Sequence, residues 1–177
     1  MGEPTEPKPV KLFTGLLTSR PEVLSSVEED LRAEFGPIDL ETELIPFDFT
    51  DYYRQEMGKG IKRKFVSFKD LIDPGDIADI KLNTNEAEEE LSENLDVDLP
   101  RPINVDPGYV GLSKIVLATT KNYSHRIYLQ DGIYAEVTLQ YKDGAFRPLQ
   151  WTYPDYRSDE YLEFFERVRT RYCEQLD

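Results

Sequence analysis

Residues 10–18, VKLFTGLLT, form a short apolar run. A run of that length fits a β-strand buried on both faces, and a sheet has to be built around it from the rest of the chain. The nine residues before it hold three prolines and no apolar periodicity, which reads as a flexible lead-in. Residues 10–177 are then one domain, a length that a single hydrophobic core can serve.

Punctuation along the chain supplies the other elements. Ser19 and Glu22 have capping-box spacing, and Val23, Leu24, Val27, Leu31 and Phe35 share one helical face before Gly36-Pro37 stops it. Residues 39–49 alternate but change phase around Pro46, which predicts a bulge or kink. Arg63–Phe68 reads as a strand. Asp73 can cap a helix whose inward stripe is Ile77, Ile80, Thr84, Ala87 and Leu91, with the acids left outside. Ile103–Val105 predicts a short strand ended by an Asp106-Pro107-Gly108 turn, and Leu112, Ile115, Val116 and Thr119 suggest a short helix, with strand as the alternative.

Residues 123–141 form the most legible hairpin, with Gln130-Asp131-Gly132 at its tip. A three-residue loop with Gly132 left-handed gathers Tyr123, His125, Ile127, Leu129, Ile133, Ala135, Val137 and Leu139 on one face. Arg126, Tyr128, Tyr134 and Glu136 take the other. A further strand near Ala145–Trp151 and a helix capped by Ser158, with Tyr161, Phe164, Phe165, Val168, Tyr172 and Leu176 inward, complete the chain. The order β-α-β-β-α-β over residues 10–105 is that of a ferredoxin-like split βαβ unit. The predicted class is therefore α+β: that unit extended by an antiparallel meander and closing helix, with helices on one face of the sheet.

Charge narrows the function classes. The net charge is -14, and 39% hydrophobic and 12% aromatic residues are enough for a real core. Such acidity disfavours binding along nucleic acid, whose phosphates need a basic surface. No apolar run reaches membrane-span length, and the N-terminus lacks signal-peptide patterning, so a cytoplasmic location is expected. The single cysteine, Cys173, excludes an internal disulfide and a multi-thiolate zinc site. The seven acids between Glu86 and Asp98 read first as a solvated face.

KPVKLFTGLL, FDFTDYY, KRKF, NVDPGY, SKIVLATTK, HRIYL, GIYAEVTL and WTYPDYRS together resemble an uncharacterised bacterial family, domain of unknown function 4416. The resemblance spans about Lys8 to Leu176 and implies no established activity. A GTP-binding description carried by some members would extend to this chain, although the P-loop pattern G-x-x-x-x-G-K-[ST] is absent from it.

Several residues are candidates for chemistry. His125, the single histidine, has the side chain of a general acid or base, or of a hydrogen-bonded structural histidine. Asp48, Asp51 and Asp106, with Glu136, offer hard oxygens for a divalent cation such as Mg²⁺, or ordinary turns and caps. Lys59, Lys62, Arg63 and Lys64, flanked by Tyr52, Tyr53 and Phe65, form the one dense basic cluster. It is read either as an anion site or as edge-strand protection. Lys114, Lys121, Arg126 and Arg157 are further anion candidates, and Tyr128, Tyr134, Tyr153 and Tyr156 offer stacking faces and hydroxyls. These features predict a binding module for an anionic small ligand, such as a nucleotide, or for a protein partner. The alternative is a metal-assisted phosphate-ester hydrolase or transferase using His125 with Asp48, Asp51 or Asp106. Sequence alone leaves open whether the protein is an enzyme and what its oligomeric state is.

Overall fold

The computed structural model describes residues 2–95 and 97–177; Asp96, in the acidic run, lies outside them. The first apolar run is β1 (Val10–Thr18), buried at every position. α1 (Leu24–Phe35) follows a 3-10 turn at Pro21–Val23 and stops at Gly36, whose φ of 89° suits glycine. The capping box does not form. Ser19 Oγ instead donates to the Met57 carbonyl, and Glu22 accepts from Arg20 Nε. The phase change around Pro46 is resolved by two short strands, β2 (Ile38–Glu41) and β3 (Ile45–Pro46), both pairing with the long β4 (Lys62–Ile72). α2 (Arg54–Met57) precedes β4. Asp73 caps the following turn by accepting from Gly75 N, and α3 (Ile77–Asn94) runs on from it.

The expected turn at Asp106-Pro107-Gly108 lies inside β5 (Asn104–Val110). The 112–119 segment takes the alternative reading, as β6 (Lys114–Thr119). β7 (Ile127–Gln130), β8 (Ile133–Lys142) and β9 (Ala145–Pro148) make the meander, and α4 (Asp159–Leu176) closes the chain. Every strand pair is antiparallel, in the order β2-β4-β1-β5-β6-β8-β7. β9 pairs with β8 beyond β7.

Helices cover both faces of the sheet, not one. Alternation along β1 sends Leu12 and Leu16 toward α1 and α3, where they meet Val27, Leu31, Ile77 and Ile80. Phe13 points the other way, into Phe65, Tyr161, Phe164 and Phe165 under α4. A strand apolar on both faces requires a cover on both, and the aromatic stripe of α4 is the second one. Burying each such ring contributes about 1.5–3 kcal/mol. Lys11 is buried on the α4 side and fully used, donating to Asp39, the Phe68 carbonyl and Gln175. Among the described residues no helix is long and apolar enough to cross a membrane.

The hairpin departs from expectation in detail. Asp131 and Gly132 both have positive φ, 48° and 79°, in a two-residue tip closed by Gln130 and Ile133. A bulge at Leu129 then restores the pairs Tyr128–Tyr134 and Ile127–Ala135, the register a three-residue loop would have given. The single apolar face does not form. β7 is exposed throughout, and a second irregularity near Thr138 puts Leu139 on the α4 side while Ile133 packs toward α3.

Candidate functional site

β5 and β6 pair only from Gly108 to Val110, opposite Leu117 to Ile115. Beyond Gly108 they part, and β6 continues against β8 alone. Pro107 accounts for the parting. Val105, Pro107 and Tyr109 share the in-plane direction toward β6, and a proline there has no N–H to donate. At Gly108 itself the strands are so close that a Cβ would lie 2.5 Å from the Val116 carbonyl oxygen. Side chains of α3 take over as partners where β6 leaves. Val105 N donates to Glu88 Oε1 at 2.6 Å, and Lys81 Nζ donates to the Val105 carbonyl at 3.0 Å.

The parting opens a cleft of about 720 Å³. α3 forms one wall, Thr119, Thr120 and Lys121 the other, and the 100–106 segment the floor. Arg101 ties the floor to α3 through Glu88 Oε2 at 2.8 Å and also donates to Asn104 Oδ1. Asn104 in turn donates to Asp106 Oδ2 at 2.6 Å. Lys81 Nζ lies 3.5 Å from Asp106 Oδ1.

Asp106 also has a partner from beneath. On the α4 face, Arg63 of β4 crosses β1 at Gly15 to bring Nη1 within 3.7 Å of Asp106 Oδ2, and its Nη2 lies 3.6 Å from Asp155. Only a glycine leaves room for that crossing, because a Cβ at Gly15 would sit 2.7 Å from Nη1. Tyr161 accepts from Arg63 Nε at 3.3 Å, and the guanidinium lies against the rings of Phe47 and Phe65.

These environments split the titratable groups. Burial by itself would raise the Asp106 carboxyl, but Lys81, Arg63, Asn104 and Arg101 outweigh it and hold the group below its ordinary range. For Glu88 burial wins over Arg101, Lys81 and the Val105 N–H, and its pKa is raised. Burial, with the Asp106 charge, pushes the Tyr53 hydroxyl up to about 12. Burial likewise raises Asp155, against the pull of Arg63.

The expected residues are scattered. His125 does not share the Ile133 face. Its Nε2 lies 2.9 Å from Glu136 Oε2, and its ring stacks on Trp151 at 5.2 Å. Arg126 Nε donates to the same Glu136 oxygen, and Nη2 reaches the Tyr153 hydroxyl at the cleft wall. Asp48 and Asp51 line a separate hollow of about 110 Å³ beside Lys59. Among the described residues no three His, Cys, Asp or Glu side chains group so as to hold a metal ion. Strand alternation breaks up the basic cluster: Arg63 is buried under α4, whereas Lys64 pairs with Glu28 and Glu41 on the other side of β4, and Lys62 is half-buried. Lys114 is exposed at the start of β6. Arg157 is spent on the carbonyls of Leu149, Gln150 and Thr152. Tyr156 is buried against Phe65, and Tyr128 and Tyr134 pack edge to face on the hairpin. Of the anion candidates, Lys121 lines the cleft directly, its ammonium 3.1 Å from the Tyr52 hydroxyl.

The family model described as domain of unknown function (DUF4416) matches residues 8–172. The chain belongs to this family. No curated protein and no solved structure matches the DUF4416 chain.

Sequence reasoning missed Lys81, Glu88, Arg101 and Asn104 in the DUF4416 chain. A signal was present for two of them: Lys81 and Glu88 fall on the same helical face as Ile77, Ile80 and Thr84, so not every acid of α3 is outside.

Proposed function

We propose that the protein is a binding module for a small anionic ligand, seated in the cleft between β5 and β6. The observation that carries this reading is the parting of the sheet, which opens a space of ligand size lined by the cations Lys81, Arg101 and Lys121. Five carboxylates line it as well: Asp106 is paired with Lys81 and, from beneath, Arg63, Glu88 and Glu56 are paired with Arg101, and Glu89 and Glu93 stand on the α3 wall. At the mouth, Lys121 meets the hydroxyl and ring of Tyr52 rather than a carboxylate among the described residues. Tyr153 adds an aromatic ring to the lining, which suits a nucleotide such as GTP as well as a simpler phosphate.

The metal-assisted hydrolase reading has less support, because His125, Asp48, Asp51 and Asp106 lie in three different places. A protein partner is favoured by one observation, the exposure of Ile127 and Tyr128 on β7 and of Tyr123 ahead of it. In fold terms, the order β2-β4-β1-β5 with α1 and α3 on one face supports the finer reading of residues 10–105 as a ferredoxin-like split βαβ unit.

A thermal-shift panel of GTP, ATP, polyphosphate and small anions, each with and without Mg²⁺, tests the binding reading, since a native-state ligand raises stability by RT ln(1 + [L]/Kd). The expected result is a dose-dependent rise with at least one phosphate compound that Lys121→Ala weakens. A flat panel would turn the assignment toward a protein partner.

A further inference from the structure

β7 is the last strand of the sheet, exposed at all four of its positions, and among the described residues no strand pairs with its outer side. An open edge is a template for a further strand, and proteins blunt it with charge, proline or bulges. The opposite edge is blunted in that way, since β2 and β3 carry Asp39, Glu41 and Pro46. β7 reads Ile-Tyr-Leu-Gln, without charge or proline, and only the bulge at Leu129 interrupts it. Ile127 is 70% exposed and Tyr128 57%, large side chains that a pairing strand would cover.

The strand is also held ready. Gln130 at its end donates to Asp79 Oδ1 in the first turn of α3, and Arg126 ahead of it is fixed by Glu136 and Tyr153. An edge already ordered gives up little conformational freedom when a second strand docks.

Charge selects the occupant. With a net charge of -14, two copies of this chain repel one another over most of their surface. From Thr120 to Gln130 there is no acid. The strand is polarised as well, with Arg126 before its start and the exposed Asp131 beyond its end. Arg126 spends three of its five N–H donors within its own chain. A two-fold axis between Tyr128 and Leu129 runs two β7 strands antiparallel, and it sets Asp131 of each copy opposite Arg126 of the other. Pairing of that kind continues a sheet whose strand pairs are all antiparallel, and it presents the same patch from both copies, as a two-fold contact requires.

We infer that β7 is a self-association edge, at which two copies of the chain join their sheets antiparallel into one. The contact does not depend on what the cleft binds.

Sedimentation velocity of the full chain from micromolar to millimolar concentration tests it. The mass is expected to rise with concentration from that of one chain to that of two, and Ile127→Lys should weaken the association at least tenfold by placing a lysine on the edge. Deuterium exchange of the unmodified protein reads the pairing itself: amides within residues 127–129 should gain protection as concentration rises. Should the variant fail to fold, that gain carries the test alone. A dimer that Ile127→Lys leaves equally tight, or whose β7 amides stay unprotected, would overturn the inference by placing the interface elsewhere. A chain that stays monomeric throughout would overturn it too, leaving β7 to a strand of a different protein.

Discussion

Arg63 on β4 reaches Asp106 on β5 by passing over the Cα of Gly15 on the strand between them, ending 3.7 Å from the carboxylate. Two strands that never pair are thus coupled electrostatically through the absence of a side chain on a third. The coupling also bears on the floor of the cleft, because Asp106 lines it.

Gly15→Ala tests this geometry. The added methyl would sit 2.7 Å from Arg63 Nη1 and 2.9 Å from the Phe65 ring, both buried. Overpacking of this kind costs about 1–3 kcal/mol. Urea denaturation should show the midpoint fall with an unchanged m-value, and a neutral result would mean that Arg63 moves aside freely.

Glu88→Ala removes the acceptor of the Val105 N–H and the partner of Arg101. A buried donor left unsatisfied costs about 1–3 kcal/mol. The loss should be local as well as global, with the amide of Val105 exchanging faster with deuterium than those of β1. Unaltered Val105 protection would contradict the role of α3 side chains as substitutes for a strand.

Two cleft carboxylates, Asp106 on the floor and Glu88 on the α3 wall, give stability trends of opposite sign. Asp106 is held below its ordinary value, so its contribution is present above the unfolded value of about 3.9 and is lost as pH falls through the folded value. Glu88 is raised, so the folded state binds more protons and stability declines as pH rises from the ordinary to the raised value. Denaturation midpoints across pH 2–7 should therefore show a shallower acid-side loss in Asp106→Asn and a flatter decline in Glu88→Gln. An identical profile in all three proteins would contradict both assignments.

Arg126→Ala leaves the Glu136 carboxylate, 2% exposed, with His125 and Thr138 as its partners. Removing one partner of a buried pair costs on the order of 3 kcal/mol. Replacing both, as Arg126→Leu with Glu136→Leu, should recover much of that loss in thermal denaturation. A double variant as unstable as the single one would argue that packing, not the unpaired charge, sets the cost.

Much of the architecture is legible in local pattern. VKLFTGLLT, the α1 and α4 stripes and the Asp-Gly turns each carry a periodicity or a left-handed turn residue that fixes the element near its observed place. Asp106-Pro107-Gly108 misleads because its composition is that of a turn, while β1, some ninety residues earlier in the chain, holds all three residues extended. The site is less legible for the same reason. Arg63 looks like one of four surface cations until alternation along β4 and the space at Gly15 turn it inward. Lys81 and Glu88 serve the backbone of a strand more than twenty and more than fifteen residues away, respectively, a pairing that no local spacing encodes.

The parting of β5 from β6 as a ligand cleft is tested most directly by amide-resolved NMR during titration with GTP and, separately, ribose 5-phosphate. The account predicts saturable shifts concentrated at Val105, Asp106 and Thr119–Lys121. Shifts confined to the Lys59–Lys64 segment, or no shifts with either compound, would contradict it.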